Sequence, residues 1–118
     1  MEERRKFVRL DVDVVVKWKK IYNGALKDQN INKDISEGGI CLILDERLQI
    51  SDKLQVEIIL PTKKMINLIG KVAWIKEYGV VAENHKRNYD TGIEFIDIAE
   101  EDRKEIAQFI FGAIDNQN

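Results

Sequence analysis

Strict alternation of apolar and polar residues constrains this chain more than any other feature. Val12, Val14, Val16 and Trp18 fall on one face of an extended segment, while Asp13, Lys17 and Lys19 fall on the other. A period of two over that length predicts a half-buried β-strand. The pattern returns at Ile40-Leu42-Leu44, at Leu54-Val56-Ile58-Leu60 against Gln55 and Glu57, and at Ile66-Leu68-Gly70-Val72-Trp74 against Asn67 and Lys71. Gly92–Ile96 makes a further strand. Turn-forming stretches separate them at Tyr22-Asn23-Gly24, at Ser36–Gly39, at Pro61–Lys64 and at Glu83–Asn88, so six or seven short strands are expected. On this reading Trp18 and Trp74 both belong to the core, and Gly70 marks a bulge or sharp bend.

The period changes once. Ile106, Phe109, Ile110, Ala113 and Ile114 recur as i, i+3, i+4, i+7 and i+8, which is one face of an α-helix. Asp97, with Glu100 three residues later, reads as a capping box, placing the helix over 98–114, from near Ile98 to about Asp115. Antiparallel strands in this number leave edges that must be protected. The expected fold is therefore mainly β: a small antiparallel barrel over 12–96, its mouth or open edge covered by the C-terminal helix.

At 118 residues and 44% hydrophobic side chains, the chain can bury one core, so 1–118 is expected to be a single domain. No apolar run approaches the roughly 18 residues needed to cross a bilayer. The start Met1-Glu2-Glu3-Arg4-Arg5 has no apolar stretch behind it to act as a signal peptide, and a cytoplasmic location without membrane insertion is expected. One cysteine, Cys41, and one histidine, His85, supply neither an internal disulfide nor a metal ligand set. His85 lies in the most polar loop, Cys41 alternates with apolar neighbours, and the acids Glu100, Glu101, Asp102 and Glu105 suit a helix start. None of these makes a catalytic constellation, and the chain is not expected to be an enzyme.

With a net charge of −2 and a pI near 5.5, the chain lacks the basic face that long nucleic acid requires. Its cations are concentrated locally, in Arg4, Arg5, Lys6 and Arg9. Such a cluster is either a solvated terminus or a site for a short anion such as a nucleotide carrying one or two phosphates. The segment Asn32–Gly39 is equally open to two readings. Asp34 and Ser36 are able to bond nearby amides as turn residues do, with Gly38 and Gly39 forming the turn. Alternatively, a carboxylate and a hydroxyl two residues apart project from one side of an extended chain, and the glycines admit a ligand close to the backbone. A carboxylate can accept both adjacent donors on guanine's Watson–Crick edge, and a guanidinium satisfies its O6 and N7 acceptors.

Two motifs together resemble the PilZ domain, a bacterial receptor module for cyclic di-GMP. They are RxxxR at Arg5-Lys6-Phe7-Val8-Arg9 and (D/N)xSxxG at Asp34-Ile35-Ser36-Glu37-Gly38-Gly39, about 25 residues apart with the Val-rich strand between. Gly92-Ile93-Glu94-Phe95 and the terminal helix also look like the family, so the resemblance spans about residues 4 to 114. It implies a six-stranded antiparallel, Greek-key-like β-barrel whose flexible N-terminal loop, 1–11, folds over cyclic di-GMP. By the same resemblance, Arg5 and Arg9 hold the phosphates and the O6/N7 edge. Asp34 and Ser36 read the opposite edge, and Gly38 and Gly39 permit the turn and the close approach. Arg4, immediately before RxxxR, goes in this family with two intercalated ligands, whose phosphates need extra cations. If Arg4 is only solvated, one ligand binds. The function implied is a receptor that couples cyclic di-GMP to an unidentified bacterial partner protein. The other reading is a PilZ-like scaffold acting as a ligand-independent interaction module, although such members usually lack one or both motifs.

Overall fold

The computed structural model describes residues 9–10, 14–21, 23–27, 31–80 and 87–116. They form one antiparallel sheet and one helix. In chain order the strands are β1 (Arg9–Leu10), β2 (Val15–Lys20), β3 (Asn23–Lys27), β4 (Ile31–Ser36), β5 (Gly39–Leu44), β6 (Lys53–Ile59), β7 (Met65–Val80) and β8 (Arg87–Asp97), followed by α1 (Glu100–Asn116). Their order across the sheet is β1-β4-β5-β8-β7-β6-β2-β3. The inner six carry the expected antiparallel architecture, and the short β1 and β3 are added at its two edges. Among the described residues the strands form a curled half-barrel, with no ladder joining β1 to β3. β1 falls inside the segment expected to be a loop.

Where the alternation is unbroken, the register follows it. β2 meets β6 with Val16 opposite Ile58 and Trp18 opposite Val56, and β6 meets β7 with Val56 opposite Leu68 and Ile58 opposite Ile66. All of these are buried, as are Ile40, Leu42, Leu44 and Ile93 from β5 and β8. Val12 and His85 lie outside the described residues.

β7 is 16 residues long and pairs with β6 over Met65–Lys71 and with β8 over Ile69–Val80. One register shift falls between Ile69 and Gly70, where bending was expected; the extra residue is in β8, at Ile96, which is left exposed. A second shift corrects the reading of Trp74. Val72 pairs with Ile93 and Trp74 with Gly92, so Ala73 is an extra residue in β7 and the alternation changes face there. Val72 is fully buried, whereas Trp74 is 38% exposed on the outer side.

The helix covers the core with Ile106 and Ile110, helped by Phe109 and Ile98. Its start also differs from expectation. The amides of Asp102 and Arg103 both donate to the Ala99 carbonyl at 3.0 Å, so Ala99 is the capping position and Asp97 stays in β8 opposite Ile69. The first-turn acids Glu100, Glu101 and Asp102 favour the helix through its dipole. Gly112 has nothing within 4 Å of where a Cβ would stand. Gly112→Ala should therefore stabilise the fold by about 0.5–1 kcal/mol, read as a higher urea midpoint.

Candidate functional site

Of the expected site residues, Arg9 is on β1, Asp34 and Ser36 are on β4, Gly38 is in the tight connection from β4 to β5, and Gly39 begins β5. Arg4 and Arg5 lie outside the described residues. Arg9 is in β1, and the register sets it opposite Ser36, with Leu10 opposite Ile35. The last residue of RxxxR and the serine of (D/N)xSxxG are thus neighbours across one strand pair, although 27 positions separate them in the chain.

The connection at Glu37–Gly38 is held from three directions. The Ser36 hydroxyl accepts from the Gly38 amide at 3.2 Å and donates to the Gly39 carbonyl at 3.3 Å. The Gly38 carbonyl accepts from the Phe95 amide of β8 at 3.0 Å. The Glu37 carbonyl accepts from Nη1 of Arg103, on α1, at 3.3 Å. Ser36 is 5% exposed, so its hydroxyl, with its only proton already donated, fixes the turn's shape. Gly39 answers to the same packing. A Cβ there would stand 2.5 Å from the Ile93 carbonyl oxygen, so the glycine lets β5 approach β8. The close approach expected for a ligand is made in the first instance by a neighbouring strand.

Asp34 is half-buried on β4 and pairs with Cys41; Cys41 pairs with Gly92, and Gly92 with Trp74. Directly opposed residues share a face. This row therefore lies on the side of the sheet away from Ile35, Ile40, Ile93 and Val72, which belong to the core. Cys41 is buried, as expected for a small hydrophobe, yet stands outside the core cluster. Trp74 lies over Gly92: a Cβ on that glycine would collide with Cε2 and Nε1 of the indole. One sheet face thus presents a carboxylate at one end of a row and, from the other end, an exposed aromatic ring that leans inward over Gly92; the Asp34 and Trp74 backbones stand about 14 Å apart at the usual strand spacing. An exposed indole face can stack a nucleobase. Sequence reasoning missed Trp74, and the signal available was Gly92, whose missing side chain makes the ring's seat.

Near the turn this face carries Asp34, with Glu94 opposite Gly39 and Lys71 opposite Glu94. It can accept hydrogen bonds from a base, but a phosphate needs the arginines of the N-terminal segment. Among the described residues, no group of three or more His, Cys, Asp or Glu could hold a metal ion.

The family model for the PilZ domain matches residues 3–112. The chain belongs to the PilZ domain family. Among solved structures, it is similar to the Bacillus subtilis inhibitor of motility MotI/DgrA, with a TM-score of 0.77 and 23% identity over 99% of this chain and 54% of that one. It is similar also to the K. pneumonia MrkH–c-di-GMP complex, with a TM-score of 0.77 and 19% identity over 98% of this chain and 55% of that one. The PilZ domain of YcgR from Escherichia coli, with c-di-GMP, matches at a TM-score of 0.72 and 15% identity, covering 98% of this chain and 94% of that domain. The chain spans about half the length of MotI and MrkH. No curated protein matches it.

Proposed function

We propose that this chain is a cyclic di-GMP receptor that acts in the cytoplasm and passes ligand binding to a partner protein. The observation that carries the reading is the β1–β4 register, in which Arg9 and Ser36 are cross-strand neighbours, so that the end of one motif adjoins the other. The PilZ family membership and the c-di-GMP complexes of MrkH and YcgR support it. In this reading Arg5 and Arg9 hold the phosphates and the O6/N7 edge of guanine. Asp34 accepts from the guanine ring N–H and amino group, and Trp74 offers its ring to a base. Ser36, Gly38 and Gly39 keep the turn that presents Asp34.

The test is isothermal titration with cyclic di-GMP and with cyclic di-AMP. Adenine's ring nitrogen is an acceptor, and an acceptor facing the Asp34 carboxylate costs on the order of 1–3 kcal/mol or more. Cyclic di-GMP should therefore bind at least about fivefold more tightly; equal affinities would overturn the guanine-reading role, and no binding of either would favour the ligand-independent scaffold. The same titration decides stoichiometry. We propose two ligands per chain, with Arg4 among the cations that offset repulsion between their phosphates. The count should fall from two to one in Arg4→Leu, whereas one ligand in the wild type, unaltered in that variant, would contradict the paired arrangement.

A further inference from the structure

The contact between Arg103 and the Glu37 carbonyl joins the C-terminal helix to the motif turn across 66 positions of sequence. Arg103 is half-buried and lies three residues before Ile106 and seven before Ile110, on the stripe of α1 that enters the core. The packing of that stripe therefore determines where the guanidinium stands. Besides this bond, α1 also contacts β1 and β4, the two strands that bring the motifs together. Ser36 and Phe95 hold the carbonyls of Gly39 and Gly38 from within the sheet, and the Glu37 carbonyl is held from the helix.

We infer that Arg103 is a positioning residue for the ligand site: it fixes the Glu37 end of the turn and thereby links the docking of α1 to occupancy of that site. The ligand half of this inference rests on the receptor reading above. Because linkage is reciprocal, a ligand that favours the bonded turn also favours the docked helix, and loss of the bond weakens both. At 3.3 Å the bond is long for a charge-assisted one, so its loss should be felt as several-fold rather than hundredfold changes.

The experiment uses the full chain as wild type, Arg103→Met and Arg103→Lys, followed by amide hydrogen exchange with and without cyclic di-GMP and by calorimetry. Met keeps an unbranched stem without a donor, and Lys restores a charged donor. Without ligand, Arg103→Met should speed exchange at Gly38 and Gly39 about five- to tenfold while leaving the β6 and β7 amides unchanged, and Arg103→Lys should recover part of the difference. With ligand, affinity should fall about five- to tenfold in Arg103→Met, and the protection that the wild-type helix gains on binding should be lost. Unchanged turn exchange in ligand-free Arg103→Met would overturn the positioning role, and helix protection that persists in the variant would overturn the linkage. A wild type that binds no cyclic di-GMP would sink the linkage together with the receptor reading, while the ligand-free comparison would still decide whether Arg103 positions the turn.

Discussion

Asp34→Ala is expected to weaken cyclic di-GMP binding by about a hundredfold or more, while the thermal midpoint moves by only a few degrees. In the proposed site its carboxylate accepts two donors from one guanine. Hydrogen bonds to a charged group are worth about 1.5–3 kcal/mol each, and a donor left buried without a partner adds its desolvation cost. Stability is much less exposed to this change. Asp34 is half-buried on the outer face and contributes nothing to the apolar cluster of Ile35, Ile40 and Ile93. Asp34→Asn sharpens the comparison, because its amide offers one acceptor but turns a donor toward a donor, so most of the affinity should also be lost. Calorimetry and a thermal melt of the same samples separate the two effects. A variant that binds normally, or one that fails to fold, contradicts the role given to Asp34.

Gly39→Ala is expected to damage fold and binding together. Its Cβ would stand 2.5 Å from the Ile93 carbonyl oxygen, which belongs to a strand paired on both sides and cannot retreat without opening the β5–β8 ladder. Overpacking of this kind costs about 1–3 kcal/mol, and the displaced strand carries with it the turn fixed by Ser36. Gly92→Ala makes the informative contrast. The added methyl collides with the indole of Trp74, a side chain that can swing outward, so stability should fall less while tryptophan fluorescence and ligand affinity both change. Urea unfolding of the two variants checks the order. Equal stability of Gly39→Ala and wild type would show that the close approach of β5 to β8 is not what requires glycine there.

The parts of the fold legible in the sequence are those with uninterrupted periodicity. β2 and β6 alternate without a break and pair without a shift, so Val16, Trp18, Val56 and Ile58 were readable as core from spacing alone. Trp74 was not, because a single extra residue at Ala73 reverses the faces, and an alternating string does not reveal which strand will take a bulge. β3 was hidden by composition: Asn23–Lys27 opens with turn-forming residues and has only Ala25 and Leu26 as apolar members. The helix body was legible from Ile106, Phe109 and Ile110, but its cap was misplaced at Asp97. A carboxylate three residues before a glutamate resembles a capping box whether or not the strand continues through it, as β8 does.

The candidate site divides along the same line. Asp34, Ser36, Gly38 and Gly39 were readable as a unit because the turn is local, and the structure adds that the serine and the second glycine serve the turn's own packing. The approach of Arg9 to Ser36 depends on a two-residue strand with no pattern of its own. The contact of Arg103 with Glu37 depends on how a helix seats on the far end of the sheet. Neither long-range contact leaves a periodic trace in the sequence, and both converge on the same turn.

In the proposed arrangement the turn and its row of outer-face residues, together with the N-terminal arginines, form one cyclic di-GMP site. Amide and indole NMR spectra of the wild-type chain, recorded as cyclic di-GMP is added, report on each part of that site separately. The amides of Arg9, Asp34, Ser36, Gly38 and Gly39 and the indole N–H of Trp74 should shift together and saturate at one ligand concentration, while the amides of β2 and β6 hold still. Spectra that do not change, or changes centred on β2 and β6 with the turn unaffected, would contradict it.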